Sequence, residues 1–157
     1  MRSLLVRQAA LTDLDALAPL FDGYRQFYGQ AADLAAARSF LRERFNHGQS
    51  VLFLALDAGT PVGFTQLYPS FSSVSLARTF ILNDLFVAPG HRRGGVGAGP
   101  VAAATEFAKS LGAVRVTLTT DIHNAAAQAT YQALGWHRDQ AFYVYHFLPD
   151  RPQIGAD

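Results

Sequence analysis

Five of the ten residues in Gly90-His91-Arg92-Arg93-Gly94-Gly95-Val96-Gly97-Ala98-Gly99 are glycine. No helix or strand interior is built that way, because each glycine costs roughly 0.5–1 kcal/mol there relative to alanine. The stretch therefore reads as a loop. Before it, Leu85-Phe86-Val87 is strand-like and Ala88-Pro89-Gly90 is a turn; after it, a helix runs through Ala102, Phe107, Ala108 and Leu111 to Gly112. Pro100 is harmless in the first turn, where its missing N–H has no intrahelical partner. A curled glycine loop that enters a helix turns free backbone N–H groups toward an anion. Arg92 and Arg93 add positive charge at the same place. The segment thus predicts a pyrophosphate cradle, although a solvated turn with two exposed arginines would account for the glycine spacing alone. Two other phosphate motifs are excluded: no Lys-Ser/Thr pair follows the last glycine, and Gly95-Val96-Gly97-Ala98-Gly99-Pro100 lacks the Gly-x-Gly-x-x-Gly spacing.

Hydrophobic periodicity supplies the frame around this loop. Ser3 to Arg7 is a short strand-like run, and Thr12 with an acid three residues on predicts a helix cap. Leu14, Leu17, Leu20, Phe21, Tyr24 and Phe27 recur at helical spacing, so a first helix reaches about Tyr28. A second starts near Asp33, carries Ala37, Phe40, Leu41 and Phe45 on one face, and ends at Gly48. Val51 to Leu56 and Val62 to Tyr68 flank the turn Asp57-Ala58-Gly59-Thr60-Pro61 and predict a hairpin. Phe80 to Val87 and Val114 to Thr119 read as strands, Asn124 to Leu134 as a helix, and Phe142 to Leu148 as a final strand. This order predicts one α+β domain over residues 1–150, with a central, mixed but mostly antiparallel sheet and about four helices, followed by a short tail at 151–157.

A second constellation opens the last helix. Asn124 can cap it with its side-chain oxygen. Tyr131 follows seven residues later, almost two full helical turns, so both lie on one face with alanines between them. An ordinary cap and a core tyrosine would explain these two residues by themselves. Taken together, however, Arg92-x-x-Gly95-x-Gly97 resembles the coenzyme A signature of the GNAT superfamily of N-acetyltransferases. Asn124-x-x-Ala127-x-x-x-Tyr131-x-x-x-Gly135-Trp136 is similar to that family's downstream helix motif. The resemblance is specific from about Phe80 to Leu148. Leu82-Asn83-Asp84-Leu85-Phe86-Val87 with Tyr131 is similar, more loosely, to the spermidine/spermine and diamine acetyltransferase branch.

That resemblance implies an acetyl-CoA-dependent N-acetyltransferase with acetyl-CoA as co-substrate and no metal. It implies that backbone groups of Leu85, Phe86 and Val87 pair with the pantetheine arm, one N–H there also holding the thioester oxygen. It implies that Arg92, Arg93, Gly94, Gly95, Val96, Gly97 and Ala98 hold the pyrophosphate, and that Asn124 and Ala127 bind the cofactor from the later helix. Tyr131 would protonate the departing thiolate. A tyrosine, with ordinary pKa about 10, starts protonated at neutral pH, while the thiol it regenerates has pKa about 8.5. Asn83 stands where the polyamine branch has a glutamate that serves amine deprotonation, and an amide is no base at neutral pH. Asp84 points to the opposite face of an ideal strand and substitutes only if the strand bulges there. Otherwise it is a strand acid paired with a nearby arginine. Asp121, the histidines, or a bound water remain weaker alternatives.

Composition narrows the chemistry. The chain has 157 residues and no cysteine, which excludes disulfides, zinc-thiolate sites and an acyl-cysteine route. Thirteen basic residues, of which only Lys109 is a lysine, against twelve acidic ones leave a net charge of +1. That balance supports neither a nucleic-acid partner nor a polycationic acceptor, so a small amine or amino-acid-like acceptor is expected. Tyr24, Tyr28, Tyr68 and Phe71 would stack around such an acceptor or fill the core, with the segment Tyr68 to Ser73 and the N-terminal helices forming the wall. No apolar run approaches membrane-spanning length, and the chain reads as soluble and cytoplasmic, with no membrane partner. A homodimer is in keeping with the resemblance. The rival class is a non-catalytic acyl-CoA-binding or regulatory domain on the same fold.

Overall fold

Ala58-Gly59 closes the first hairpin. Strand β2 (Val51–Asp57) turns there into β3 (Thr60–Ser72), with Val51 opposite Leu67 and Leu54 opposite Phe64. The protein is described from a computed structural model, in which residues 4–92 and 94–150 are described. Its described strands form one sheet in the order β1-β2-β3-β4-β5, with β1 at Leu4–Gln8, β4 at Ala77–Val87 and β5 at Arg115–Thr117. The first four strands run antiparallel and β5 joins β4 in parallel, as the expected fold class requires. Four α-helices are described: α1 (Leu14–Phe27), α2 (Leu34–Asn46), α3 (Ala98–Ser110) and α4 (Ala125–Ala133). None of them is long and apolar enough to cross a membrane.

The chain falls into two compact units, Met1–Thr119 and Thr120–Asp157. In the first, the two faces of the sheet are covered separately. Leu17, Phe21, Ala37 and Leu41 of α1 and α2 bury against Leu52, Leu54, Phe64 and Phe86. On the other face Phe107 of α3 meets Phe53 and Phe80 edge-on, at ring distances of 5.7 and 5.9 Å. Leu52, Phe53 and Leu54 alternate between these layers, as period-two strand geometry dictates. Helix α3 lies so close to β1 that a Cβ on Gly99 would come within 2.9 Å of Val6 Cγ2, so Gly99 is a packing residue of the helix–sheet contact.

Several local expectations change. Thr12 does not cap α1: it lies in a single 3-10 turn, Leu11–Asp13, and the acceptor at that end is Asp13. Its carboxylate accepts the Ala10 N–H at 2.8 Å and a two-pronged contact from Arg7 at 2.8 Å each. The Arg7 bonds hold its pKa below the ordinary carboxylate value. Asp33 does cap α2, accepting the Ala36 N–H at 3.1 Å. The strand expected over Val62 to Tyr68 runs on to Ser72, so most of the segment Tyr68 to Ser73 belongs to β3, paired to β4 as far as Ser72–Ala77. The final strand over Phe142 to Leu148 is not formed among the described residues. Phe142, Tyr143, Val144, Tyr145 and Phe147 are 75–91% exposed instead. An alternating apolar run is only half of a strand, since the ladder needs a partner edge to supply its hydrogen bonds. The tail at 151–157 lies outside the described residues.

Candidate functional site

The β3–β4 ladder carries an irregularity at the position that matters for proton transfer. Thr65 faces Leu85 and Gln66 faces Asp84, but the next pair is Leu67 with Leu82, which leaves Asn83 as one extra residue in β4. Such a bulge resets the alternation of side chains. Leu82 shares the α3 face with Phe80, so regular alternation assigns the α1/α2 face to Asn83. The extra residue brings Asp84 to that same α1/α2 face, in line with Phe86 and opposite Gln66. The condition under which Asp84 replaces Asn83 is thereby met.

Asp84 is 1% exposed and Gln66 fully buried. Its carboxylate accepts the Asn83 side-chain amide at 2.8 Å and the Gln66 Nε2 donor at 2.5 Å, and no described arginine pairs with it. Burial disfavours the charged form and pushes its pKa up to about 6, against the pull of those two hydrogen bonds. Thr65 Oγ1 donates to the Asp84 carbonyl at 2.7 Å, and the Tyr24 hydroxyl donates to the Asn83 carbonyl at 3.2 Å, so both backbone carbonyls of the bulge are tied down. Gln66 Oε1 is buried with no hydrogen-bond partner among the described residues.

The aromatic residues divide between core and surface. Tyr24 lies beside Phe21 and edge-on to Phe64, at ring distances of 6.2 and 6.1 Å, and Tyr28 meets Tyr24 at 5.1 Å. Tyr68 is half-buried on the Gln66 face, and burial, with the nearby Asp84 charge, raises its pKa well above the ordinary tyrosine value. Phe71 is 71% exposed, far along the hairpin. Gln66 escaped the sequence reading. Its signal was a lone amide inside the apolar run Val62 to Leu67, on the face of Phe64.

The glycine loop takes the expected curled form. Gly94 and Gly95 hold φ of 103° and 78°, in the left-handed region that side chains resist, and a Cβ on Gly95 would meet nothing within 4 Å. The Cβ position of Gly95 faces open space. Helix α3 begins at Ala98 with no side-chain cap, and Gly97 precedes it in ordinary helical conformation. Val96 is buried with Ala55 and Val62, so its side chain anchors the loop and only its backbone is available to a ligand. Leu85 and Val87 line the back of Gly97, while the Phe86 side chain faces the α1/α2 core. Arg92 turns to that face too: its Nε donates to the Val87 carbonyl at 2.9 Å, and its guanidinium lies 5.5 Å from the Phe27 ring centre and 5.4 Å from that of Phe86. Its side chain is thus a brace between loop, strand and α1. Arg93 lies outside the described residues.

In the second unit, Asn124 caps α4 by accepting the Ala127 N–H at 3.1 Å, as its residue type predicts. Tyr131 lies two turns on, its ring 6.0 Å from Trp136, and its carbonyl receives the Trp136 N–H at 3.0 Å. Asp121 is engaged locally, accepting the His123 N–H at 2.7 Å. A concavity lined by Gln132, Trp136, His137, Arg138 and Gln140 contains none of the expected site residues. No group of histidines and carboxylates suited to a metal occurs among the described residues.

Comparison with known proteins places this arrangement. The model of the acetyltransferase (GNAT) family matches residues 15–136. The chain is 46% identical over 140 residues to the uncharacterised N-acetyltransferase YhfO of Bacillus subtilis, covering 89% of this chain and 94% of that one. A probable acetyltransferase of known structure superposes with a TM-score of 0.88 at 42% identity, over 92% of this chain and 97% of the other. An aminoglycoside N-acetyltransferase solved with CoA shares the fold at 21% identity, with a TM-score of 0.74 over 94% of this chain and 96% of its own. The bulged sheet, the glycine loop and the Asn124–Tyr131 helix therefore belong to an acetyltransferase, and the chain is a member of the GNAT family.

Proposed function

We propose that this acetyltransferase moves an acetyl group from acetyl-CoA directly to the primary amine of a small, amino-acid-like acceptor, with Asp84 taking the amine proton and Tyr131 returning a proton to the thiolate. The observation that carries the reading is the bulge at Asn83, which sets a buried carboxylate of pKa about 6 on the α1/α2 face. An ammonium group is no nucleophile until it loses a proton, and a general base works best when its pKa lies near the operating pH. Asp84 meets that requirement, and, buried as it is, it would take the amine proton through a bridging water. Asn83 and Gln66 orient the carboxylate by one hydrogen bond to each oxygen.

Acetyl-CoA supplies the acyl group as an activated thioester. Gly94, Gly95, Val96, Gly97 and Ala98 would hold its pyrophosphate through main-chain N–H groups, as the open space at Gly95 and the uncapped start of α3 allow. Leu85 to Val87 would offer backbone groups to the pantetheine arm, with Asn124 and Ala127 contributing from α4; the fold neighbour crystallised with CoA supports the choice of cofactor. A backbone donor fixed near the thioester oxygen is worth ~3–4 kcal/mol to the transition state. Tyr131 is suited to protonate the thiolate because its proton starts on the correct partner at neutral pH. With no cysteine in the chain, transfer proceeds without an acyl-cysteine intermediate.

The test is thiol release from acetyl-CoA across a panel of amines, amino acids, polyamines and basic peptides, with Asp84→Asn and Tyr131→Phe alongside. Acceptor-dependent release that collapses in both variants, while both still bind CoA, is the expected result. Unimpaired release in Asp84→Asn would remove Asp84 from the reaction.

A further inference from the structure

Beyond Gln66, the α1/α2 face of β3 continues to Tyr68, ~7 Å farther along the strand. Two groups converge there that the acetyl-transfer reading leaves unused. Arg44 of α2 acts electrostatically on the Tyr68 hydroxyl, with the opposite sign to Asp84. The Arg44 guanidinium lies 4.3 Å over the Phe40 ring, which fixes its plane and sends its donors out along the edge. Among the described residues its Nη2 meets the carboxylate of the adjacent Glu43, at 3.2 Å, and the Glu43 side chain is 62% exposed, so the pair holds weakly. Its Nε is buried with no partner among the described residues.

Ser50 is the second group. Its hydroxyl oxygen is likewise buried and unpartnered among the described residues. The β2–β3 register, with Val51 opposite Leu67, brings Ser50 alongside Tyr68. The neighbouring Gln49 N–H bonds to the Arg44 carbonyl at 3.0 Å, tying this segment to the last turn of α2. The face therefore carries two chemically opposite sets of groups. Asp84 and the unpartnered Gln66 Oε1 are acceptors suited to an amine, and Arg44 and Ser50, beside Tyr68, are donors suited to an anion.

We infer that the acceptor is a small amino acid whose carboxylate is held by Arg44 and Ser50 while its amine faces Asp84. This rests on the reading of the Asp84 face as the acceptor side. Buried donors left without a partner are costly, so a ligand that satisfies them is selected over one that does not. An arginine fork matches the geometry of a carboxylate, whereas a polyamine would set a second cation against Arg44 and be rejected.

The experiment is calorimetric binding of the common amino acids to the whole chain, with the carboxamide and the decarboxylated amine of each one that binds. Wild type, Arg44→Gln and Arg44→Lys are compared, and acetyl transfer to the same compounds is followed separately. The acid should bind wild type about ten- to a hundredfold more tightly than its amide or amine, as expected for loss of a charged hydrogen bond. Arg44→Gln should erase that preference while leaving affinity for the decarboxylated amine within about twofold, and Arg44→Lys should restore part of it. Equal binding of acid, amide and amine would overturn the inference. So would a uniform loss for all three in Arg44→Gln, or the failure of every amino acid to bind wild type. A clear carboxylate preference without acetyl transfer would instead sustain this site and overturn the proposed reaction.

Discussion

Gln66 and Asp84 face each other across β3 and β4, one residue past the bulge, and the Gln66 Nε2 donates to the buried Asp84 carboxylate at 2.5 Å. Two buried polar side chains on one pair of strands are costly to a core and are retained where they do chemistry. The relationship ties the irregular backbone to a group whose proton affinity sits close to neutral pH.

Replacing the acid should therefore separate activity from stability. Asp84→Asn keeps the shape and removes the proposed base, so acetyl transfer should fall by about 10²–10⁴-fold. Its folded form should be the more stable one at pH 7–8. Holding a carboxylate at about 6 instead of 3.8 costs the charged native state up to ~3 kcal/mol. In wild type that cost is full above pH 6 and fades as pH falls toward 4, where the native state takes up the proton before the unfolded chain does. Urea titrations at pH 8 and pH 4 should show the variant ahead at the first and level at the second. A variant less stable at pH 8 would contradict the burial account.

The same group should shape the acid limb of the rate profile. In the proposed mechanism only the carboxylate form accepts the amine proton, so kcat/KM should rise with pH through about 6. Asn83 donates to Asp84 and favours its charge. Asn83→Ala should accordingly move the limb to higher pH while preserving much of the plateau rate. An unmoved limb would assign the titration to another group.

The glycines of the loop have distinct jobs, and substitutions should tell them apart. Gly95→Ala forces a side chain to φ of 78°, a strain of ~1–2 kcal/mol, and should weaken CoA binding several-fold. Gly99→Val collides with Val6 across a gap already 2.9 Å for a Cβ and should cost ~1–3 kcal/mol of stability. Its CoA affinity, measured well below the melting temperature, should stay near wild type.

Tyr131→Phe removes only the hydroxyl and keeps the ring beside Trp136. Turnover should drop by about 10²-fold or more with CoA affinity unchanged within about twofold. A parallel loss of binding and turnover would make Tyr131 a binding residue only.

Much of this molecule is written in short-range pattern. The helical spacing of Leu14, Leu17, Leu20 and Phe21 yields α1, the caps at Asp33 and Asn124 start their helices, and the glycine run curls where expected. Each depends on residues within a turn or two of one another, which a linear reading captures. Thr12 does not cap α1 for a related reason: Asp13 accepts from the Ala10 N–H and pairs across to Arg7, a contact outside the local turn.

Residue pattern alone was enough for the order of helices and strands through α4, the curl of the glycine loop and the Asn124 cap. The face that Asp84 occupies was set by strand pairing, because a bulge is a property of two paired strands and neither β3 nor β4 announces it alone. Tertiary packing likewise determined that Tyr68 to Ser72 extends β3 and that Phe142 to Leu148 forms no described strand. It also brought Arg44 and Ser50 to Tyr68. Local propensity chooses how a segment bends, but pairing, burial and the charge state of a buried acid depend on what arrives from elsewhere in the chain.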